Sequence, residues 1–293
     1  MQVRIYGIDV HKKNKPKVAD NGGIVISLSI IFTLLIYVGY SVYTNEPTII
    51  MTVITSILLI SFLGLIDDML ELRWRYKIFL PLFASLPLIV VRSGNTAMIL
   101  PIIGYLDLGL IYTWILIPIA MTAVVNMTNM LAGFNGLEAG LGLINSIAIV
   151  IFGFLTGRWE ASIICSPLVG SLLAFLYYNW YPAKVFMGDV GTFTIGATLV
   201  SAIIAGNIEK FGILIYTLYI LNFVLFFVYF VFLRRKIIKF ASIDKDEYIR
   251  PPHPFNVSWL FPYYLRVKEK QNVIILLLLQ LLICVISFLL VRW

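Results

Sequence analysis

Histidine and cysteine are almost missing from this chain of 293 residues, which holds only His11, His253, Cys165 and Cys284. Both cysteines fall inside long apolar runs, so neither a disulfide framework nor a cysteine metal site is expected. Two imidazoles are also too few to favour a zinc centre. Charge is scarce as well: Asp, Glu, Lys and Arg make up 13% of residues against 60% hydrophobic, at a mean hydropathy of +0.95. That balance excludes an ordinary soluble domain. No Walker loop of the form GxxxxGKS/T occurs, which argues against an ATP-driven pump. No tandem repeat or low-complexity linker stands out. The chain opens on a polar, basic stretch, so no cleavable signal peptide is expected.

What is abundant is apolar sequence in lengths that suit a membrane. About 20 apolar residues cross the hydrocarbon core as a helix, and nine such runs occur, at roughly 22–43, 47–66, 76–92, 111–129, 137–156, 160–178, 189–208, 211–233 and 271–292. The sequence therefore predicts an all-α polytopic membrane protein, a single domain over 1–293 built as one bundle of about nine transmembrane helices. The net charge of +7 does not call for nucleic acid. With alternate loops on opposite sides, one side collects 18 Lys and Arg and the other only Arg92, Arg158, Lys210 and Arg292. The positive-inside rule makes the first side cytoplasmic, with the amino terminus inside and the carboxyl terminus outside.

The polar clusters gather on that same side. Polar groups at membrane depth need a partner and often mark a functional site. The segment 126–140, NMTNMLAGFNGLEAG, sets Asn126 and Asn129 three apart, on one helix face, with Asn135 beyond a break at Ala132-Gly133. Their partner is a metal or a polar substrate, or else they cap a helix and join helices; the residues alone leave both open. The second run ends in Asp67-Asp68, where two carboxylates oppose the negative end of a helix dipole. Lys77, Arg73 and Arg75, or a divalent ion, would compensate them. Asp20 and Asn21 close a basic stretch suited to anionic headgroups, and Glu138 suits a helix start. In YYNWYPAKVFMGDVG, Asp189 opens the seventh run and serves either as a helix cap or as a ligand beside Lys184 and Phe186. The segment 93–110 is punctuated like an external hairpin or loop without catalytic content. The loop 234–270 is the longest on the cytoplasmic side and places Arg250 and His253 over a bound substrate.

Pooled, these residues supply hard oxygen donors and cations. Such a set suits magnesium, or manganese in its place, with substrate phosphates completing the shell. Lysine and arginine would neutralise phosphate charge while a spare aspartate handles the attacking oxygen. The inferred chemistry is metal-dependent phosphoryl transfer at the cytoplasmic face of the lipid bilayer, with a lipid as one partner.

In order, GLIDDMLELRWRYK, NMTNMLAGFNGLEAG and NWYPAKVFMGD resemble the polyprenyl-phosphate N-acetylhexosamine-1-phosphate transferases, over nearly the whole chain. LAGFNGLEAG is similar to the eukaryotic and archaeal dolichyl-phosphate branch, where bacterial relatives usually carry aspartates. The resemblance implies transfer of N-acetylglucosamine 1-phosphate from UDP-N-acetylglucosamine to dolichyl or another polyprenyl phosphate, releasing UMP, as the first lipid-linked step of N-glycan assembly. It implies that Asn129 and Asp189 hold magnesium, that Lys77 meets the diphosphate, and that Asp67 and Asp68 handle the lipid phosphate. Asn135 and Phe186 would hold the uracil, Asp20 and Trp74 would lie by the sugar and phosphates, and Arg250 and His253 would close over the N-acetylhexosamine.

Three departures mark this chain. The family usually has ten spans, and this sequence begins at the basic segment that follows the first. Asp20 stands for the usual glutamate, and RPPHPFN does not match the Arg-His-Arg or triple-His patterns of relatives. Competing expectations are another UDP-N-acetylhexosamine or undecaprenyl phosphate as substrates, an ion-coupled secondary transporter, and a non-catalytic scaffold. A homodimer is left open.

Overall fold

In lipid a backbone has no water to bond, so long apolar runs pair every N–H within their own segment and become helices. The computed structural model describes residues 6–41, 47–92, 96–100, 103–233 and 238–291. An amino-terminal hairpin, β1 (Tyr6–Ile8) and β2 (Lys17–Ala19), leads into α1 (Gly23–Ser41), α2 (Pro47–Leu70) and α3 (Trp74–Ala84). A 3₁₀ segment, Leu86–Arg92, is followed by β3 (Ala97–Leu100) and β4 (Gly104–Asp107), which pair antiparallel where a hairpin or loop was expected. Then come α4 (Ile117–Met130), entered through a π-helical turn at Tyr112–Leu116, α5 (Leu137–Thr156), α6 (Trp159–Asn179) and α7 (Gly188–Ala205). The chain closes with α8 (Glu209–Ile215), α9 (Thr217–Phe227), the short ribbon β5 (Ser242–Ile243) with β6 (Ile249–Arg250), α10 (Val257–Tyr264) and α11 (Glu269–Leu290).

Among the described residues seven helices are long and apolar enough to cross a bilayer, and α8 with the segment Thr217–Phe232 makes an eighth, bent by 61°. This is an integral membrane protein. The run expected at 76–92 is built differently from the others, as the 11-residue α3 followed by the 3₁₀ segment. Of the expected charge asymmetry, Arg4, Arg234, Arg235, Lys236 and Arg292 lie outside the described residues, as do the ends of the first and last runs.

α7 is the axis of the bundle: 83% of it is buried, against 28–56% for the other candidate spans. Its small residues allow that, because close helix packing in a membrane relies on them. Gly196 lies against α4, where a Cβ would come within 2.8 Å of Val125 Cα. Gly64 of α2 does the same toward α7, at 2.6 Å from Val190 Cα. The first contact sets α4 against the middle of α7, and the second sets the end of α2 against its start. The bend between α8 and α9 leaves carbonyls without helical partners, and Gln280 of α11 donates to one of them, Ile215 O, at 2.8 Å while also donating to Asn145 at 2.6 Å.

Candidate active site

The start of α7 carries unpaired backbone N–H groups and the positive end of a helix dipole. Both are met from another helix. Asp68, near the end of α2, accepts from Asp189 N at 2.7 Å and from Val190 N at 2.9 Å. Capping is thus supplied by Asp68, and the side chain of Asp189 is left to other partners. Its Oδ2 accepts from Lys77 Nζ at 2.9 Å and its Oδ1 from Asn129 Nδ2 at 2.7 Å. Asn129 also donates to Thr192 Oγ1 at 2.9 Å.

Lys77 forms a second ion pair with the buried Asp67. Asp67 Oδ1 in turn accepts from Leu72 N at 2.9 Å, holding the turn that reverses the chain from α2 into α3. Asn126, one helical turn before Asn129, donates to Lys77 O at 3.0 Å and to Thr122 O at 2.8 Å. It therefore anchors α3 to α4 at the point where Lys77 leaves the backbone. Three carboxylates meet around this corner, Asp67 and Asp189 sharing the Lys77 ammonium and Asp68 holding the backbone of α7. The excess negative charge and the all-oxygen donors of Asp189, Asp67, Thr192 and the Asn129 carboxamide fit a hard divalent cation.

The second half of the site is assembled by the amino-terminal hairpin. Phe186 N donates to Ala19 O at 2.7 Å and Gly22 N to Phe186 O at 2.9 Å, so the segment after α6 runs beside β2. The ring of Phe186 lies over Gly7, where a Cβ would come within 2.8 Å of it and 3.3 Å of Asp20 Oδ2. Asn135 is buried at the turn between α4 and α5; its backbone N donates to Glu269 Oε1 at 2.8 Å and its Nδ2 to Asp9 Oδ2 at 2.9 Å. Lys12 pairs with Glu269 and lies 3.4 Å from Asp9 Oδ2. Asp9, His11 and Glu269 could together offer ligands to a metal, but the Lys12 ammonium already answers both acids. His11 packs on Phe134 at 4.7 Å. Burial lowers its pKa to about 4, partly offset by Asp9, so the ring is neutral at pH 7.

A cavity of about 590 Å³ joins the two halves, within the range of small-molecule sites. Of the residues singled out in the sequence, Asp20, Asp67, Asp68, Lys77, Asn135, Phe186 and Asp189 line it. Asn126 and Asn129 stand behind the lining and hold Lys77 and Asp189. Four others lie away from it. Trp74 is 65% exposed at the first turn of α3. Lys184 is exposed, with its ammonium 5.7 Å from the Tyr177 ring. Arg250 bonds Asp244 at 3.0 and 3.2 Å. His253 stacks on Tyr229 at 3.9 Å, and burial lowers its pKa.

Several lining residues carried no signal strong enough to single them out. Asp9 and His11 sit in what reads as a basic, lipid-facing stretch; the turn-forming KKNKP between short strands was the available clue. Thr192, Asn179, Lys239 and Phe240 had none. Glu138, expected to serve a helix start, lines the cavity as well and accepts from Gly133 N at 2.6 Å.

Residues 49–207 match the model of glycosyl transferase family 4. A Saccharolobus solfataricus protein, provisionally named a UDP-N-acetylglucosamine–dolichyl-phosphate N-acetylglucosaminephosphotransferase, is 36% identical over 98% of this chain and 88% of its own length. A Dictyostelium discoideum protein with that name is 30% identical over 76% of this chain and 64% of its own. A phospho-N-acetylmuramoyl-pentapeptide-transferase of Clostridium botulinum is 30% identical over 69% and 64%.

Proposed function

The chain belongs to glycosyl transferase family 4, and on that footing we propose that it moves N-acetylglucosamine 1-phosphate from UDP-N-acetylglucosamine to dolichyl or another polyprenyl phosphate. An oxygen of the lipid phosphate forms a bond to the phosphorus that carries the sugar. The bond from that phosphorus to the bridging oxygen breaks, and UMP leaves with the electron pair. The product is a sugar-diphospholipid.

The observation that carries this reading is the contact of Asn129 with Asp189 at 2.7 Å, beside a lysine shared by Asp189 and Asp67. Magnesium, or manganese, held by Asn129 and Asp189 would supply charge neutralisation on the diphosphate. Lys77 binds phosphate oxygens from the other side. Asp67 orients the acceptor phosphate and takes its proton where it carries one. Asp68 acts at one remove, fixing the first turn of α7 and with it Asp189. Phe186 and Asn135 take the uracil, and Asp20 lies toward the phosphates. The sugar falls to the mouth near Lys239 and Phe240, in the loop that also carries Arg250 and His253.

The basic excess around this end of the bundle supports a cytoplasmic site, with the amino terminus inside. α3 and the 3₁₀ segment would add about 30 Å of length, at 1.5 and 2 Å per residue, enough for a ninth span. A transporter would set its acids near the bilayer midplane, whereas here they cluster at the ends of α2 and α7.

The test is a reconstituted assay with UDP-N-acetylglucosamine, dolichyl phosphate and magnesium. UMP and a sugar-diphospholipid are expected, lost on chelation and restored by the ion. Asp189→Asn should lower turnover by about 1,000-fold in protein that still inserts and folds. Activity that survives chelation would remove the metal, and failure to form UMP would remove the reaction.

A further inference from the structure

We propose that Asp9 is a specificity-determining positioning residue, which fixes the carboxamide of Asn135 so that its oxygen faces the cavity and selects a pyrimidine carrying an N3–H donor. This rests on the reading that Asn135 meets the base of the nucleotide sugar.

A carboxamide has a donor end and an acceptor end, and which one faces a ligand decides what it reads. For Asn135 the choice is made by its neighbour. Asp9 Oδ2 lies 2.9 Å from Asn135 Nδ2, and a carboxylate only accepts. The reverse orientation would set two acceptor oxygens against each other in a site where both side chains are about 95% buried. Asp9 cannot readily turn away, because its Oδ1 accepts from His11 N at 3.3 Å and its Oδ2 lies 3.4 Å from the Lys12 ammonium. The backbone of Asn135 is held as well, by Glu269 at 2.8 Å.

Two segments far from Asn135 in sequence, the amino-terminal hairpin and the start of α11, thus hold its amide and its backbone in one orientation. Its Oδ1 receives no hydrogen bond among the described residues, and the residue lines the cavity that also holds the Phe186 ring. Uracil presents N3–H as a donor, which this oxygen accepts. Cytosine presents a lone pair at N3 and meets the same oxygen with repulsion. A site built around a buried hydrogen bond rejects the partner that lacks it by a large factor.

The experiment compares UDP- and CDP-N-acetylglucosamine as donors. The unaltered enzyme should prefer the uridine donor by about 100-fold or more in kcat/KM. Asp9→Ala should bring that ratio to within about tenfold, mostly through KM for the uridine donor, while KM for the lipid acceptor holds. The exchanged pair Asp9→Asn with Asn135→Asp keeps an oxygen toward the cavity and should restore the preference, which a merely structural role for Asp9 would not produce. If Asp9→Ala does not fold, competition on the unaltered enzyme still decides: UMP should bind at least about 30-fold more tightly than CMP or N3-methyl-UMP. Equal loss with both donors in Asp9→Ala, or equal competition by the three nucleotides, overturns the inference and leaves the transferase reading intact. An enzyme inactive with UDP-N-acetylglucosamine would overturn that reading instead.

Discussion

Asp68 meets the backbone of Asp189 at 2.7 Å, so the helix bearing the central acid of the site is capped by a side chain from its neighbour in the bundle. Asp67, one residue earlier, points elsewhere, since adjacent side chains on a helix diverge by about 100°. It faces Lys77 across the cavity corner. The adjacent carboxylates therefore have different partners: one holds a helix end in place, and the other, on the proposed reading, meets the acceptor phosphate.

That division separates their variants. Asp68→Ala removes two charge-assisted bonds from the first turn of α7 and should destabilise the protein by about 1–2 kcal/mol, seen as a lower Tm together with weaker turnover. Asp67→Asn keeps shape and packing and should leave Tm within a few degrees while turnover falls by about 100- to 1,000-fold. Thermal melts and kcat on the two purified proteins check this. Matching profiles would refute the division.

His11 makes stability depend on pH in a definite direction. Its ring protonates near 6.5 in an unfolded chain and near 4 when buried against Phe134. Between those values the unfolded state binds more protons, so stability falls as pH drops through 6.5 and the loss levels off below 4. The full effect is at most about 3 kcal/mol. His11→Phe keeps an aromatic ring at this position and should flatten the decline of Tm between pH 6.5 and 4. A slope unchanged from the parent protein would show that nearby carboxylates, not this imidazole, govern that range.

Much of the candidate corner was legible in the sequence because charged and amide side chains stand out against apolar runs. Asp67, Lys77, Asn129 and Asp189 were conspicuous for that reason, and they do converge. Their division of labour was not legible. That Asp68 caps a helix more than 100 positions later, or that Asn126 bonds the backbone of Lys77, depends on which helices touch. The hairpin side was hidden for another reason. Asp9, His11 and Lys12 lie in a basic stretch whose composition fits a membrane surface, and only burial against Asn135 and Glu269 gives them a role. The run 76–92 was legible as apolar length, but not its build, because a 3₁₀ stretch can be as apolar as an α-helix.

The close approach of α2 to α7 supplies a test of how the corner is held together. Alanine at position 64 would put a Cβ 2.6 Å from Val190 Cα, and backbone cannot rotate out of the way as a side chain can. α2 must then shift, carrying Asp68 off the N–H groups of Asp189 and Val190. Overpacking of this kind costs about 1–3 kcal/mol. Gly170, within α6, is the control, because a Cβ there meets nothing within 4 Å. Gly170→Ala should be neutral or stabilising by up to about 1 kcal/mol, through helix propensity alone. Gly64→Ala should lower both Tm and kcat, and combined with Asp68→Ala it should cost less than the two changes summed, since both act on the same helix end. Strict additivity in that pair, measured by thermal melts, would mean that the packing of α2 against α7 and the capping of α7 are separate matters.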